Sequence, residues 1–581
     1  MAVRESKVEI RFDPAGFWID VSAWALHSDI SVQSGRDNEA GDPVPVGTAT
    51  VRLVNDDGRF SPDLPSSAYY PNVVAGRFIR LSVKIGASWY VRHYGTIQSW
   101  VVTWPDGDQT GLHATTTVNS SDVFGSLPSY TLRDAASEVL RSRENLAHHW
   151  ALRDTESPVL PTAGTVTLTT PGTLGWAAGG LLPMDEGDAQ HVQLRAGASG
   201  ITLTSGALNI APPYRILLVI MDSPAADTTV ISSLPGGHSI RYINGAGFDI
   251  FPEQPGEVDP YSYPCLLSLT VPDTGVATLD VLDETGFGGF TSLGITLGTL
   301  RKIVLNPTLS GGAIYGAAHL AIAQGLGPDV YTTARWLLGP RLPGTSDSDV
   351  LSQLLDFANA GLTVSGLDPD EAIIPPLAGR DLADVLGSVV KGLGGRLRDN
   401  RDGTLTWVPF ADSTTAIALP AGEVDTSMTW QTDDTSWLSD CTVTWPDGTS
   451  YTASRPDGKR KSDTIEPVHP TTEGDKAYAD WLVWTGSSGA RLPAAPFDAS
   501  TLSDADAVTL ASAKVGSRVT LSNLPQQMPS TLTCTVEGID ETIAANDWTM
   551  TFKLSPDVYS RLFILDDPVQ GVLDSDYILA P

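Results

Sequence analysis

Few residues in this chain have the types and spacing that chemistry needs. His148-His149 is the one adjacent histidine pair. In a strand, neighbouring side chains point to opposite faces, so these rings are poorly placed to share a metal ion and read as structural. Gly392-Leu393-Gly394-Gly395 resembles a phosphate loop in composition. These glycines follow an apolar-periodic run instead of opening one, which places them away from the amide-rich helix N-terminus that binds phosphate. They read as a helix stop. Cys265, Cys441 and Cys534 lie far apart, giving neither a disulfide framework nor a C-x-x-C metal spacing. No G-x-S-x-G elbow, H-E-x-x-H pair or G-x-x-x-x-G-K-[ST] loop occurs. With 68 carboxylates some must be neighbours, so sequence promotes no pair to a glycosidase dyad. Asp56-Asp57 sits in a turn, where Asp bonds its own backbone. The expectation is a protein with no catalytic residues, no cofactor and no metal. An enzyme that degrades surface polysaccharide is the alternative that these absences disfavour.

Bulk numbers narrow the class. A length of 581 residues exceeds one core and suggests roughly four domains. Hydrophobic content of 41% against 18% charged residues is globular, and 55 Gly and 41 Pro among short alternating segments favour β structure. The net charge of −32 argues against nucleic-acid binding, which depends on Lys and Arg. The dense basic cluster Lys459-Arg460-Lys461 follows a Pro-Asp-Gly turn and reads as a solvated loop. Met1–Ile10 is charged and lacks the apolar core of a secretory signal. The apolar run Ile216–Met221 has strand length, far short of the roughly 20 residues that span a bilayer. The chain is expected to be soluble and made in a reducing cytoplasm.

The most ordered stretch runs from Gly47 to Val83. Ala49, Val51 and Leu53 alternate with polar residues, as do Ile79, Leu81, Val83 and Ile85 further on. Between these strands lie the turn Asn55-Asp56-Asp57-Gly58 and a proline-punctuated loop with Phe60, Tyr69 and Tyr70. These three aromatics are candidate subunit contacts, because aromatics dominate interface energetics. Trp104-Pro105-Asp106-Gly107 returns as Trp445-Pro446-Asp447-Gly448, which is either chance or a sign of duplication.

From about 146 to 327 many short strands separated by Gly and Pro predict a β-sandwich. Helical spacing predicts helices over 349–360, with Ser348 as N-cap, and over 381–393, followed by a hairpin at 396–408. Further helices are predicted over 132–143, 474–484 and 503–515. The fold class is thus mainly β with some α, in several domains: 1–130, 146–327, 335–425, 426–560 and a tail at 561–581.

The stretch GTATVRLVNDDGRFSP…SSAYYP…GRFIRLSV resembles the N-terminal signature of minor tail proteins of siphophages that infect actinobacteria. GGRLRDNRDGTLTWVP and the closing Gly516–Pro525 and Gly538–Pro556 segments resemble later elements of the same tail-hub family. The resemblance implies hub β-barrels at 1–130 and 426–560 and a homotrimer whose related barrels alternate in a pseudo-sixfold ring. It implies as partners a distal tail ring protein, a tape-measure protein and other minor tail proteins, fibres or a spike. It places the chain at the tail tip of a virion assembled in a bacterial host, acting in host attachment and DNA delivery. The distal ring protein is a competing role, as is a receptor-binding tail protein that acts as an adhesin for host-surface glycan. The "HHWALRD" opening and the 303–327 close resemble laminin-G or concanavalin-like (jelly-roll) domains, so residues 146–327 read as an insertion. If that sandwich is lectin-like, Trp176 and Tyr242 are candidate platforms for a host cell-wall glycan. Core or interface anchoring is the plainer role for most of the fifteen tryptophans.

Overall fold

Period-two alternation builds the first strands: β1 (Ser6–Arg11), β2 (Ile19–Asp20), β3 (Ile30–Gly35), β4 (Thr48–Val54), β5 (Phe78–Ile85), β6 (Ser88–Thr103) and β7 (Thr115–Ser121). A computed structural model describes residues 4–26, 30–37, 45–105, 112–132, 140, 145–152, 159–170, 175–177, 191–195, 202–221, 224, 227–243, 247–252, 263–282, 288–292, 295–305, 314–325, 363–365, 377, 380–409, 416–419, 428–431, 438–445, 448–455, 461–469, 472–485, 491–544 and 547–557. The alternating residues of β4 and β5 point inward as their pattern predicts.

The sheet runs β2-β1-β5-β6-β7-β4-β3 and then continues into the far end of the chain. The Thr531–Ala544 strand is long enough to share one edge between two partners. Its first half pairs with Arg518–Ser522 and its second half with β3, from Ile30 opposite Ile543 to Gly35 opposite Gly538. Its other edge takes Asp547–Pro556, which pairs in turn with Ala494–Asp498. Both chain ends therefore bury one core, in which Val8, Val51 and Leu81 join Phe497, Trp548 and Phe552. The fold is mainly β with some α, as predicted. The two closed barrels are not what forms: among the described residues the strands of the first expected barrel and those from Ala494 to Pro556 of the second make a single open twelve-stranded sheet, and the strands between Asp440 and Ile465 form a separate one. The shared edge of Thr531–Ala544 is what merges the two ends of the chain.

Residues within 146–324 form the predicted sandwich. One sheet centres on Tyr214–Ile220, between Ile314–Gln324 and Cys265–Val271. The other contains Gly247–Phe251, Ser239–Ile243 and Thr228–Ser232. Trp150, Ile216, Leu218, Phe248 and Leu267 fill the space between the sheets. Tyr214–Ile220 is buried at every position, because Leu217 and Val219 face a second cluster with Leu140, Leu266 and Ala321. Burial on both faces explains why this run is continuously apolar. The two described ends of the sandwich meet at a narrow neck. Gln324 N donates to Asn145 O at 2.7 Å, and Asn145 Nδ2 donates back to Gln324 O at 2.9 Å. On the host side, Leu382 N donates to Tyr130 O and Leu132 N to Arg380 O.

Helix Leu382–Gly392 is capped by Asp381, whose side chain accepts from Asp384 N, and buries Leu382, Val385, Leu386, Val389 and Val390. It stops where predicted. Gly394 has φ +71°, and a Cβ on Gly395 would lie 2.1 Å from the Trp407 ring. The hairpin Gly395–Asp399 and Thr404–Pro409 follows. A smaller sheet of Asp440–Thr444, Ser450–Ser454 and Ser462–Ile465 packs Cys441 and Val443 against Tyr478 and Trp481 of helix Thr472–Thr485. Helix Asp504–Ser512 has Ser503 as its N-cap. The predicted helix at 349–360 and the 561–581 tail lie outside the described residues, as does nearly all of the helix predicted at 132–143. Among the described residues no helix is long and apolar enough to cross a membrane.

The junction of the two chain ends leaves no room for a side chain at Gly35. Its φ is +76°, and a Cβ there would sit 2.2 Å from Glu537 O. Gly35→Ala is expected to destabilise by at least ~3 kcal/mol, while Gly76→Ala, with φ +81° and open space, costs about 1 kcal/mol. Urea midpoints and amide exchange in β3 check this.

Candidate functional site

Two β-bulges turn charged residues into the protein. In β6, Val91 opposes Ser82 and His93 opposes Leu81, so Arg92 is the extra residue. In Thr531–Ala544, Val536 opposes Leu554 and Gly538 opposes Lys553, so Glu537 is the extra one. A bulge re-aims a side chain that regular alternation would send outward. Arg92 and Glu537 are both buried as a result.

The carboxylates of Glu537 and Glu541 each gather two arginines. Glu537 Oε2 accepts from Arg36 Nε at 2.7 Å and from Arg396 Nε at 3.0 Å, while Oε1 takes Arg396 Nη2 and the Ser555 hydroxyl. Glu541 is held by Arg92 through two parallel bonds, Nε to Oε2 at 2.8 Å and Nη2 to Oε1 at 2.7 Å. Arg401 Nη2 lies 3.7 Å from Oε1, and Trp548 Nε1 donates to Oε2 at 3.1 Å. Each glutamate on the terminal strand thus joins one arginine from the N-terminal strands to one from the 395–409 hairpin. Burial alone would raise both glutamate pKa values, but the paired guanidinium charges overcome it and hold both below the usual range. Burial and Arg92 bring Arg401 down to about 10.

Beside this seam is a partly open cavity of about 30 Å³, lined in part by Arg92, His93, Asp122, Asp399, Arg401 and Lys514. That is room for one or two water molecules. Asp122 is buried, and its oxygens accept from Gly47 N at 2.9 Å and Phe124 N at 3.1 Å. Burial, then the nearby Asp399, pushes its pKa well up. Burial likewise raises Asp399 to about 6. His93 Nε2 lies 2.9 Å from Ser120 Oγ, the spacing of a base and a nucleophile. Burial and Arg401 lower His93 to about 3, which makes it a poor base. The arrangement clamps three segments together.

An open groove of about 650 Å³ runs between helix Leu382–Gly392 and the smaller sheet. Its charges are matched in place: Lys391 with Asp463, and Arg380 with Asp384 and Glu466.

The structure redistributes the candidate residues. In the signature loop, Asn55 Oδ1 accepts from Phe60 N at 2.8 Å and Asn55 Nδ2 donates to Ser61 Oγ, while Ser67 Oγ donates to Arg59 O. These bonds fold the loop inward. Phe60 is fully buried near Trp24, Tyr69 and Trp100, so it is a core residue and not an interface contact. Tyr69 is half-buried, stacked 4.0 Å from Phe12. Tyr70 remains 49% exposed and is the one of the three open to a partner. Tyr242 is buried against Phe248 in the sandwich core and offers no sugar platform. Trp176 lies in the Gly175–Ala177 strand, and its side chain is outside the described residues. His148 stacks on Trp150, whereas His149 meets His319 with Nε2 to Nδ1 at 3.2 Å. The three cysteines are buried, and none is in a disulfide. Among the described residues no group of three or more His, Cys, Asp or Glu side chains is placed to hold a metal.

The seam's pH response has two opposing parts. Glu537 and Glu541, lowered in the fold, add stability above the unfolded value of 4.5 that is lost as pH falls below it. Asp399, raised in the fold, adds stability that is full below 3.8 and lost as pH rises through about 6. Asp399→Asn is therefore expected to gain stability relative to the wild type between pH 5 and pH 7.5, read from unfolding midpoints. Glu541→Gln leaves Arg92 buried without its carboxylate partner and is expected to cost roughly 3–5 kcal/mol at pH 7, by the same measurement.

Comparison with known proteins finds no matching family model and no matching curated protein. Among solved structures, the chain is similar to the tail protein from Neisseria meningitidis MC58, at 8% identity over 96% of this chain and 98% of that one, with a TM-score of 0.41. It is similar to the 43 kDa tail protein of prophage MuSo2 from Shewanella oneidensis, at 8% identity over 95% and 97%, with a TM-score of 0.39. It is also similar to prophage tail protein gp18 from Listeria monocytogenes EGD-e, at 6% identity over 94% of each chain, with a TM-score of 0.36. No residue's role transfers at such identities.

Proposed function

We propose that this chain is a structural protein of a phage tail tip, serving as the hub of a long non-contractile tail. The observation that carries the reading is the Gly47–Val83 signature, whose resemblance to siphophage minor tail proteins extends over an ordered run. Its polar residues also have physical work: Asn55, Ser61 and Ser67 hold the loop that seats Phe60 in the core. In this role the protein is a homotrimer that meets the distal tail ring, receives the tape-measure protein in its lumen and carries fibres or a spike. Its work is mechanical, and the bolted seam between both chain ends suits a part that must not come apart under load. The sandwich, joined through a narrow neck, is the element suited to meeting the host surface, including a cell-wall glycan.

Mass spectrometry of purified particles is expected to find the chain, and a tail-tip reconstruction to place it in a threefold ring. A sixfold ring would assign it to the distal tail ring instead. Absence from particles would remove the tail role altogether.

A further inference from the structure

Four cations line the cavity beside the seam: Arg92, Arg398, Arg401 and Lys514. Arg92 spends its charge on Glu541, through two parallel bonds. Arg401 is less well served. Its side chain is only 10% exposed, yet Nη1 donates to Val91 O at a long 3.4 Å and Nη2 stands 3.7 Å from Glu541 Oε1. A guanidinium has five N–H donors, and a buried one ordinarily has most of them matched. Lys514 is half-buried. Its backbone N donates to Ser517 Oγ at 3.0 Å, but its ammonium has no carboxylate within ion-pair distance among the described residues.

Two carboxylates line the same space without cancelling these charges. Asp122 gives its oxygens to Gly47 N and Phe124 N, and burial, then the nearby Asp399, favours its neutral form. Asp399 Oδ1 accepts from Arg401 N at 2.8 Å. Burial, then the charges of Arg398 and Arg401, lowers the Lys514 pKa, and the weaker pull of Asp402 and Asp399 does not restore it. At the Lys514 amine, neighbouring cations thus outweigh neighbouring acids, inside a chain whose net charge is −32. Cations crowded where water is scarce repel one another strongly, and a negative charge among them relieves it. The volume of about 30 Å³ suits an anion little larger than a water molecule.

We propose that the cavity is a binding site for a small monovalent inorganic anion, of chloride size, held by Arg401 and Lys514. The bound anion repeats the seam's device: one negative centre gathers cations from the 395–409 hairpin and from the segment that follows helix Asp504–Ser512. Asp399 is its competitor. The charged groups around Asp399 are Asp122, Arg401, Asp402 and Lys514, while His93, lowered to about 3, stays neutral across the range that matters. Burial raises Asp399 to about 6, so its charge is lost as pH falls from 7.5 to 5.5 and the anion binds more tightly. The inference rests on this cavity alone and holds whatever the assembly in which the chain serves.

The test uses the full chain in sodium chloride, with sodium gluconate holding the ionic strength constant. The chloride NMR line is expected to broaden in the presence of the protein, more at pH 5.5 than at pH 7.5, and to narrow again with excess bromide. Lys514→Gln is expected to weaken this binding at least about tenfold. Lys476→Gln, on helix Thr472–Thr485 and outside the cavity lining, leaves it unchanged. Asp399→Asn keeps an acceptor for Arg401 N and removes the charge, so at pH 7.5 it is expected to bind chloride at least about threefold more tightly than the wild type. Absence of broadening that bromide reverses, or broadening indifferent to Lys514→Gln, would overturn the proposal. Should Lys514→Gln fail to fold, Asp399→Asn decides: binding unchanged or weakened there overturns it as well.

Discussion

Two buried glutamates, four residues apart on one strand, decide which parts of this chain meet. Desolvating a carboxylate costs several kcal/mol, and an isolated pair often repays no more than that. The contribution of Glu537 and Glu541 is therefore best understood as positional. A carboxylate that must find two guanidinium groups is satisfied in one arrangement of three segments and left unpaired in others. Arg36 and Arg92 come from the start of the chain, Arg396 and Arg401 from the hairpin after the helix, and the glutamates from near its end. Hydrophobic alternation fixes which face of each strand turns inward but carries little preference among slips of two residues. The charges supply that preference.

The bulges make this possible. Regular alternation already turns Glu541 inward between Ile539 and Ile543. Arg92 and Glu537 reach the same interior because each is an extra residue that breaks the two-residue period. The same device recurs in the sandwich, where His319 is the residue skipped between Leu320 and Ala318 and carries φ +43°. It places the His319 ring in a buried stack against His149.

These features set what the sequence could and could not reveal. The apolar faces of β4 and β5, helix Leu382–Gly392 and the glycine stop after it were legible, because each rests on local periodicity or on one residue's backbone freedom. The merger of both chain ends into one sheet was not, since nothing local marks the two partners that share an edge of Thr531–Ala544. The seam was illegible for the same reason its bulges exist: Arg92 and Glu537 sit where the period breaks, and a charged residue off the pattern reads as solvent-facing. Phe60 misled in the opposite sense. An aromatic in a polar, proline-rich loop reads as exposed, but the Asn55 side chain turns the loop inward.

The neck of the sandwich has a consequence for how such a protein changes over generations. Asn145 and Gln324 hydrogen-bond each other where the sandwich leaves and rejoins, and on the host side the backbone at 130–132 is stitched to that at 380–382. Among the described residues the sandwich core draws only on its own residues, and the large sheet draws on none of them. A genetic exchange with both crossovers near this neck would replace the whole sandwich without disturbing the seam. The host body and its insertion are thus free to evolve at different rates, one under the constraint of a shared charge network and the other under whatever its outer surface must meet.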